Sequence, residues 1–134
     1  MQLVSGQKIA LNQLIQNDKK FTLRAQFKAS FDVDISSFGV GQNDKLYIDD
    51  YMTFYNQIKT PKSEVQYGQQ GNLNLFTFDL NKIDVVQTPR FVICATVAND
   101  QATMQNIQNG QIDLVNQQGE VLAIYQLNLS LIHI

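Results

Sequence analysis

Two aspartates, Asp32 and Asp34, are the residues whose type and spacing most directly suggest chemistry. They lie in residues 31–36, where apolar and polar side chains alternate. Alternate side chains of a strand point to opposite faces, so both carboxylates share one face, roughly 7 Å apart at about 3.3 Å rise per residue. A second acidic pair, Asp49 and Asp50, follows. Because calcium binds about six to eight oxygen ligands, several of them charged, these carboxylates are candidate ligands for a hard cation.

The same two aspartates have a structural alternative. Asp32 and Asp34 can also face solvent and make hydrogen bonds in turns and at a strand edge, with no metal involved. Alternation alone does not choose between the two interpretations, and both stay open at this point.

The chain has few residues that could form a catalytic nucleophile–base pair. The sequence has one histidine, His133, and one cysteine, Cys94. A histidine next to the chain end is a poor general base, and without a second one no Ser/His/Asp or Cys/His pair can form. Cys94 lies in an apolar run and is expected to be a buried small hydrophobe. We therefore predict that the protein is not an enzyme and has no catalytic residue. Apart from the candidate cation site, we predict no site for a cofactor.

Composition excludes several classes of partner. The net charge of −2 and the scattered basic residues give no reason to expect nucleic acid. No apolar run reaches the roughly 18 residues of a membrane span, and no signal peptide is visible. A single cysteine excludes an intramolecular disulfide and agrees with a reducing cytoplasm. The expectation is a cytoplasmic protein of one domain, since 134 residues are enough to bury a core.

Short β-prone runs separated by turn signals predict an all-β fold, a two-sheet β-sandwich with one or two short helices. The predicted strands are residues 21–29, 31–38, 51–55, 64–67, 73–80, 90–98, 111–115 and 121–129. A helical turn is expected at residues 11–16. A second short helix is expected at residues 101–106, capped by Asp100 and ended by Gly110. The last two strands are predicted to form a hairpin around residues 116–119.

Several motifs together resemble the TerD family, which is named for bacterial tellurite resistance. Residues 31–36 read F-D-V-D-I-S, against the family's F-D-L-D-A-S. Residues 49–57 are similar to D-x-D-F-x-F-Y-N-Q, with Tyr51 in place of the second aspartate. Residues 68–74 lie where the family has an extended acidic loop, but they are fewer and contain no carboxylate. The resemblance runs over residues 1–130, including strands at residues 91–93 and 125–127.

The resemblance implies a single TerD-like β-sandwich domain over residues 1–134, without the family's last strands. It also implies a calcium site, in which Asp32 and Asp34 are carboxylate ligands. The secondary oxygens are expected from Asp49, Asp50, Asn72 and Asn74. Because the loop carboxylates are missing, we expect calcium binding to be weakened or lost.

The implied function is that of a bacterial stress-response binding protein, linked to tellurium resistance and not catalytic. The alternative is a metal-independent scaffold that recruits a protein partner or forms a homodimer through a sheet edge. The apolar residues 131–134 are a candidate for such an edge strand.

An aromatic cluster leaves one more alternative open: Tyr47, Tyr51, Phe54 and Tyr55 lie within nine positions. Next to acidic groups, such rings can recognise sugars or cyclic nucleotides, whereas core packing is their commoner role. Alternation predicts that Phe54 is in the core and Tyr55 faces outward.

Overall fold

The computed structural model of the protein describes residues 2–3, 11–16, 18–28, 33–97 and 108–127. Their helical segments are a short helix, α1 (Leu11–Ile15), and a 3₁₀ helix (Asp49–Tyr51). The strands are β1 (Gln2–Leu3), β2 (Lys20–Lys28), β3 (Val33–Val40), β4 (Met52–Thr53), β5 (Val65–Gln70), β6 (Leu73–Asp79), β7 (Arg90–Val97), β8 (Gln108–Val115) and β9 (Val121–Leu127).

These strands form two sheets. One has six strands in the order β1-β9-β8-β2-β6-β5, and the other has three in the order β4-β3-β7. The pairings are antiparallel except for β1 with β9, which is parallel. The prediction of an all-β, two-sheet sandwich with a short helix is confirmed.

The hydrophobic core lies between the two sheets. Ile35 of the smaller sheet packs in one cluster with Phe21, Phe76 and Phe78 of the larger sheet. The rings of Phe21 and Phe78 are stacked at 5.0 Å, and Phe91 meets Phe78 edge-on at 5.6 Å. Stacked and edge-on pairs at these separations are favourable arrangements of aromatic rings. The Phe78–Phe91 pair joins β6 to β7 and so contributes to the packing of one sheet on the other.

Two hairpins follow directly from turn residues. β5 and β6 are joined by two residues only, because Gln70 pairs with Leu73. Gly71, in that turn, has φ of 59°, a conformation that glycine adopts without steric cost. In the β8–β9 turn, Asn116 accepts backbone N–H bonds from Gln118 and Glu120, which confirms the hairpin predicted there.

The predicted boundaries were wrong in several places, and β3 ends at Val40 rather than at Phe38 because Gly39 and Val40 still pair with β7. Gly110, expected to end a helix, lies inside β8, where it pairs with Leu127. Residues 51–55 are not one strand, because the N–H of Tyr51 bonds to the carbonyl of Ile48 and closes a helical turn before β4. β5 extends to Gln70, further than predicted, because its polar end still pairs with β6. The expected helix at residues 101–106 and its cap Asp100 lie outside the described residues.

Candidate functional site

Asp34 and Asn74, two of the predicted calcium ligands, lie close to the same tyrosine. The hydroxyl of Tyr67 donates a hydrogen bond of 2.6 Å to Oδ1 of Asn74. Burial, and then the negative charge of Asp34, raise the pKa of that hydroxyl. Asp34 is half-buried on β3, and Asn74 is buried on β6. Two residues of the predicted set, one from each sheet, therefore act on the same tyrosine, Asn74 through a hydrogen bond and Asp34 through its charge.

The carboxamide of Asn74 already has internal partners. Its Oδ1 accepts the bond from Tyr67, and its Nδ2 donates to the carbonyl oxygen of Ala25 at 3.5 Å. A buried amide held on both sides stabilises the β2–β6 pairing. Its oxygen could join a metal site only by sharing or losing the bond from Tyr67.

The acidic pair Asp49 and Asp50 lies elsewhere. Both residues are exposed on the 3₁₀ helix, whose third residue, Tyr51, contacts Glu64 at the start of β5. Asn74 instead pairs with Gln69, which is four residues beyond Val65, or roughly 14 Å along the strand. Asp49 and Asp50 therefore lie toward the opposite end of β5 from Asn74.

Asn72 lies in the two-residue turn between β5 and β6, and it is exposed. Its Oδ1 accepts a hydrogen bond of 3.4 Å from Nε2 of Gln26 on β2. Asp32, the remaining member of the predicted set, lies outside the described residues, next to Val33 at the start of β3. Across the described ranges, no three His, Cys, Asp or Glu side chains come together closely enough to hold a metal ion.

The buried carboxylates of the described chain have partners of their own. Asp113 accepts bonds from Arg24 at 3.0 Å and from Gln111 at 2.7 Å. Asp79 lies 3.9 Å from the ammonium group of Lys20 and 4.0 Å from that of Lys82. Their charges are therefore balanced by cations within the protein, which argues against either as a metal ligand.

A family comparison agrees with this fold and these motifs. The family model of the TerD domain matches residues 1–132 of the 134-residue chain. The chain belongs to the TerD family. The resemblance drawn from the motifs at residues 31–36 and 49–57 is thereby confirmed. No curated protein matches the chain.

One polar group in this TerD chain was not predicted from the sequence. Glu64 is 2% exposed, and its carboxylate accepts a 2.6 Å bond from the Tyr51 hydroxyl and a 2.7 Å bond from the N–H of Lys62. Burial alone raises the pKa of Glu64, but hydrogen bonds from Tyr51, Thr60 and the backbone outweigh it and lower the pKa below its usual value. Glu64 is therefore an ionised, structural carboxylate within the TerD fold.

The aromatic cluster of this TerD chain divides between core and surface. Tyr51 is buried and Phe54 is half-buried, while Tyr47 and Tyr55 are 40% and 59% exposed. The outward direction predicted for Tyr55 is confirmed. Tyr51, which replaces the second aspartate of the family motif, faces inward to Glu64, so this motif position serves packing in this chain.

None of the helices in the described ranges is long and apolar enough to cross a membrane.

Proposed function

We propose that this TerD-family chain is a non-catalytic binding protein of a bacterial stress response, in which calcium binding is weakened or lost. One observation carries the proposal: the segment corresponding to the family's acidic loop is a hairpin with a two-residue turn. Residues 68–70 pair with residues 73–75, so only Gly71 and Asn72 remain unpaired. A turn of that length, without carboxylates, supplies few of the oxygens that calcium needs.

The positions of the remaining carboxylates support the same conclusion. Asp34, with Asp32 two positions before it in the sequence, is the member of the predicted set whose charge acts on Tyr67, the hydrogen-bond partner of Asn74. Asp49 and Asp50 lie toward the other end of β5. Two aspartates with neutral neighbours form at most a weak site, because affinity for calcium rises with the number of charged ligands.

The ionisable groups with shifted pKa values support a non-catalytic role. Tyr51 and Glu64 bond to each other, and Tyr67 bonds to Asn74. Each group is therefore occupied by an internal partner rather than directed at an open pocket.

Calcium titration calorimetry tests the proposal with matched variants. We compare the wild type with Asp32→Asn plus Asp34→Asn, and with Asp49→Asn plus Asp50→Asn as the control. We expect either no binding heat or a weak, near-millimolar affinity that only the Asp32/Asp34 variant removes. Micromolar affinity in the wild type contradicts the proposal, and so does loss of binding in the control alone.

The second candidate function is a metal-independent scaffold that uses a sheet edge, and β7 favours it. Among the described strands, β7 pairs with β3 alone, and its eight residues lie at the edge of the smaller sheet. A long, apolar edge strand can add a strand from another chain. The other predicted edge, residues 131–134, lies outside the described residues.

Light scattering at tens of micromolar tests this second function. The scaffold function predicts a dimer that Val92→Lys on β7 weakens, because Val92 is 45% exposed there. Val121→Lys on β9, where the valine is 42% exposed, is the matched control. A wild-type monomer, or an equal effect of both variants, counts against it.

A further inference from the structure

An apolar cavity of about 410 Å³ lies between the two sheets. Phe21 and Phe78 of the larger sheet form one side, and Phe91 and Ile93 of β7 form the other. Such a volume falls within the roughly 300–1,000 Å³ of small-molecule sites. It is between two and three times the roughly 150 Å³ of an engineered apolar cavity that binds benzene.

The wall of the cavity offers almost nothing to a charged or strongly polar ligand. Of the residues that line it, Thr88 alone has a polar side chain. The Thr88 hydroxyl donates to the carbonyl oxygen of Asp84 at 3.4 Å, so it is already used. Burying a polar group without a hydrogen bond is unfavourable, so this wall selects for apolar ligands.

The connection between β6 and β7 borders the cavity and is held by several hydrogen bonds. Oδ1 of Asp84 accepts bonds from the N–H groups of Val86 and Gln87, and the carbonyl of Val86 accepts from Gln42 of the β3–β4 connection. The N–H of Thr88 also bonds back to the carbonyl of Asp84, at 2.9 Å. Hydrogen bonds within the turn, together with the one from Gln42, therefore help to hold its shape.

This turn exposes two neighbouring valines to solvent. Val85 is 68% exposed and Val86 is 69% exposed, and Val85 also lines the cavity. Adjacent exposed apolar side chains at the opening of an apolar cavity are a feature of ligand entrances.

We propose that this cavity is a binding site for an uncharged, apolar small molecule. The site lies between β7 and the larger sheet, and its wall contains none of the predicted calcium ligands. It is therefore a function separate from the calcium question, and its test is independent of metal.

The test uses the uncharged fluorescent probe N-phenyl-1-naphthylamine with the full chain in EDTA. We expect one saturable site per chain. Ile83→Trp, which fills the cavity from a loop position, is expected to lower probe affinity at least tenfold. Val85→Asp is expected to lower it several-fold. Val86→Asp, a neighbour of equal exposure that does not line the cavity, is expected to stay within twofold of the wild type.

Thermal unfolding shows whether each variant is folded. If Ile83→Trp does not fold, Leu114→Phe serves as a second variant that fills the cavity. The absence of saturable binding to the wild type overturns the proposal. Equal effects of Val85→Asp and Val86→Asp, or unchanged affinity in a folded filling variant, also overturn it. If the probe does not bind and Val85→Asp alone converts a dimer to a monomer, a second copy of the chain covers the cavity instead.

Discussion

The hydroxyl of Tyr51 donates a 2.6 Å hydrogen bond to Oε2 of Glu64, a residue that is 2% exposed. The bond joins the 3₁₀ helix before β4 in the smaller sheet to the start of β5 in the larger one. Because it joins segments from both sheets, this pair helps to set their relative position.

Replacing Tyr51 by Phe tests that role. The change removes the donor and leaves a buried carboxylate with fewer partners, so we expect the free energy of unfolding to fall by about 2 kcal/mol. Tyr47→Phe is the control, since Tyr47 is 40% exposed and its ring, which meets the Tyr51 ring in a T-shaped arrangement at 5.5 Å, is kept. Urea unfolding measures both variants. A loss below about 0.5 kcal/mol for Tyr51→Phe contradicts the account.

The lowered pKa of Glu64 predicts how the stability of the protein changes at acid pH. Its folded pKa is lowered, so its contribution is present above the unfolded pKa of about 4.3 and is lost as pH falls below that value. We therefore expect the stability difference between the wild type and Glu64→Gln to shrink as pH falls from about 6 to about 3. Urea unfolding across that range measures it, and a difference that grows on acidification contradicts the prediction.

The raised pKa of Tyr51 predicts that stability falls as pH rises in the alkaline range. Burial and then the hydrogen bond to Glu64 raise its pKa to about 12. Its contribution to stability is therefore present below the unfolded pKa of about 10 and is lost as pH rises from about 10 to about 12. Ultraviolet titration of the five tyrosines should show that Tyr51→Phe removes a late-ionising group. If Tyr51→Phe instead removes a group that ionises early, the pKa of Tyr51 is not raised and the prediction is wrong.

Gly39 is expected to resist substitution because the Tyr51 ring lies against it. A Cβ atom added at Gly39 meets Cβ of Tyr51 at 3.0 Å and a ring carbon of Phe91 at 3.2 Å. We expect Gly39→Ala to destabilise the protein by about 1–3 kcal/mol through overpacking. Gly68→Ala is the control, since no atom lies within 4 Å of its added Cβ. Thermal unfolding compares them, and equal midpoints refute the packing argument.

Thr53 and Ser37 are directly opposite each other on β4 and β3, and both are fully buried. Neither hydroxyl has a hydrogen-bond partner among the described residues. Removing an unsatisfied buried hydroxyl while keeping the shape is neutral or favourable, so we expect Thr53→Val to raise stability by about 1 kcal/mol. Val65→Thr, which adds an unsatisfied hydroxyl at another fully buried site, is expected to lower it. Urea unfolding measures both changes, and a loss of 1 kcal/mol or more in Thr53→Val contradicts the prediction.

Several strands and one hairpin, which depend on residues close together in the sequence, were predicted correctly. The alternation before Phe38 correctly indicated a strand, and Asn116 with Gly119 indicated the β8–β9 hairpin. The strand predicted at residues 73–80 is also present, as β6, which lies between β2 and β5.

Features that depend on distant contacts were not predicted. A glutamate after a loop is usually at the surface, whereas Glu64 is buried beside Tyr51, a hydrogen-bond donor thirteen residues earlier in the chain. The motif also suggested that Asp49 and Asp50 could join Asp34. They lie apart because Phe38 pairs with Met52 in antiparallel register, so the chain before Met52 continues away from Asp34. The register between β3 and β4 therefore decided the positions of the predicted ligands.

The central claim, that calcium binding is weakened or lost, is tested most directly by thermal unfolding in excess EDTA and in about 1 mM calcium. A ligand that binds only the folded state adds RT ln(1 + [L]/Kd) to stability. A site with Kd near 1 mM adds about 0.4 kcal/mol, so the account predicts a rise of at most about 2 °C in the midpoint. A site with Kd near 10 µM adds about 2.7 kcal/mol, and a rise of about 8 °C or more would contradict the account.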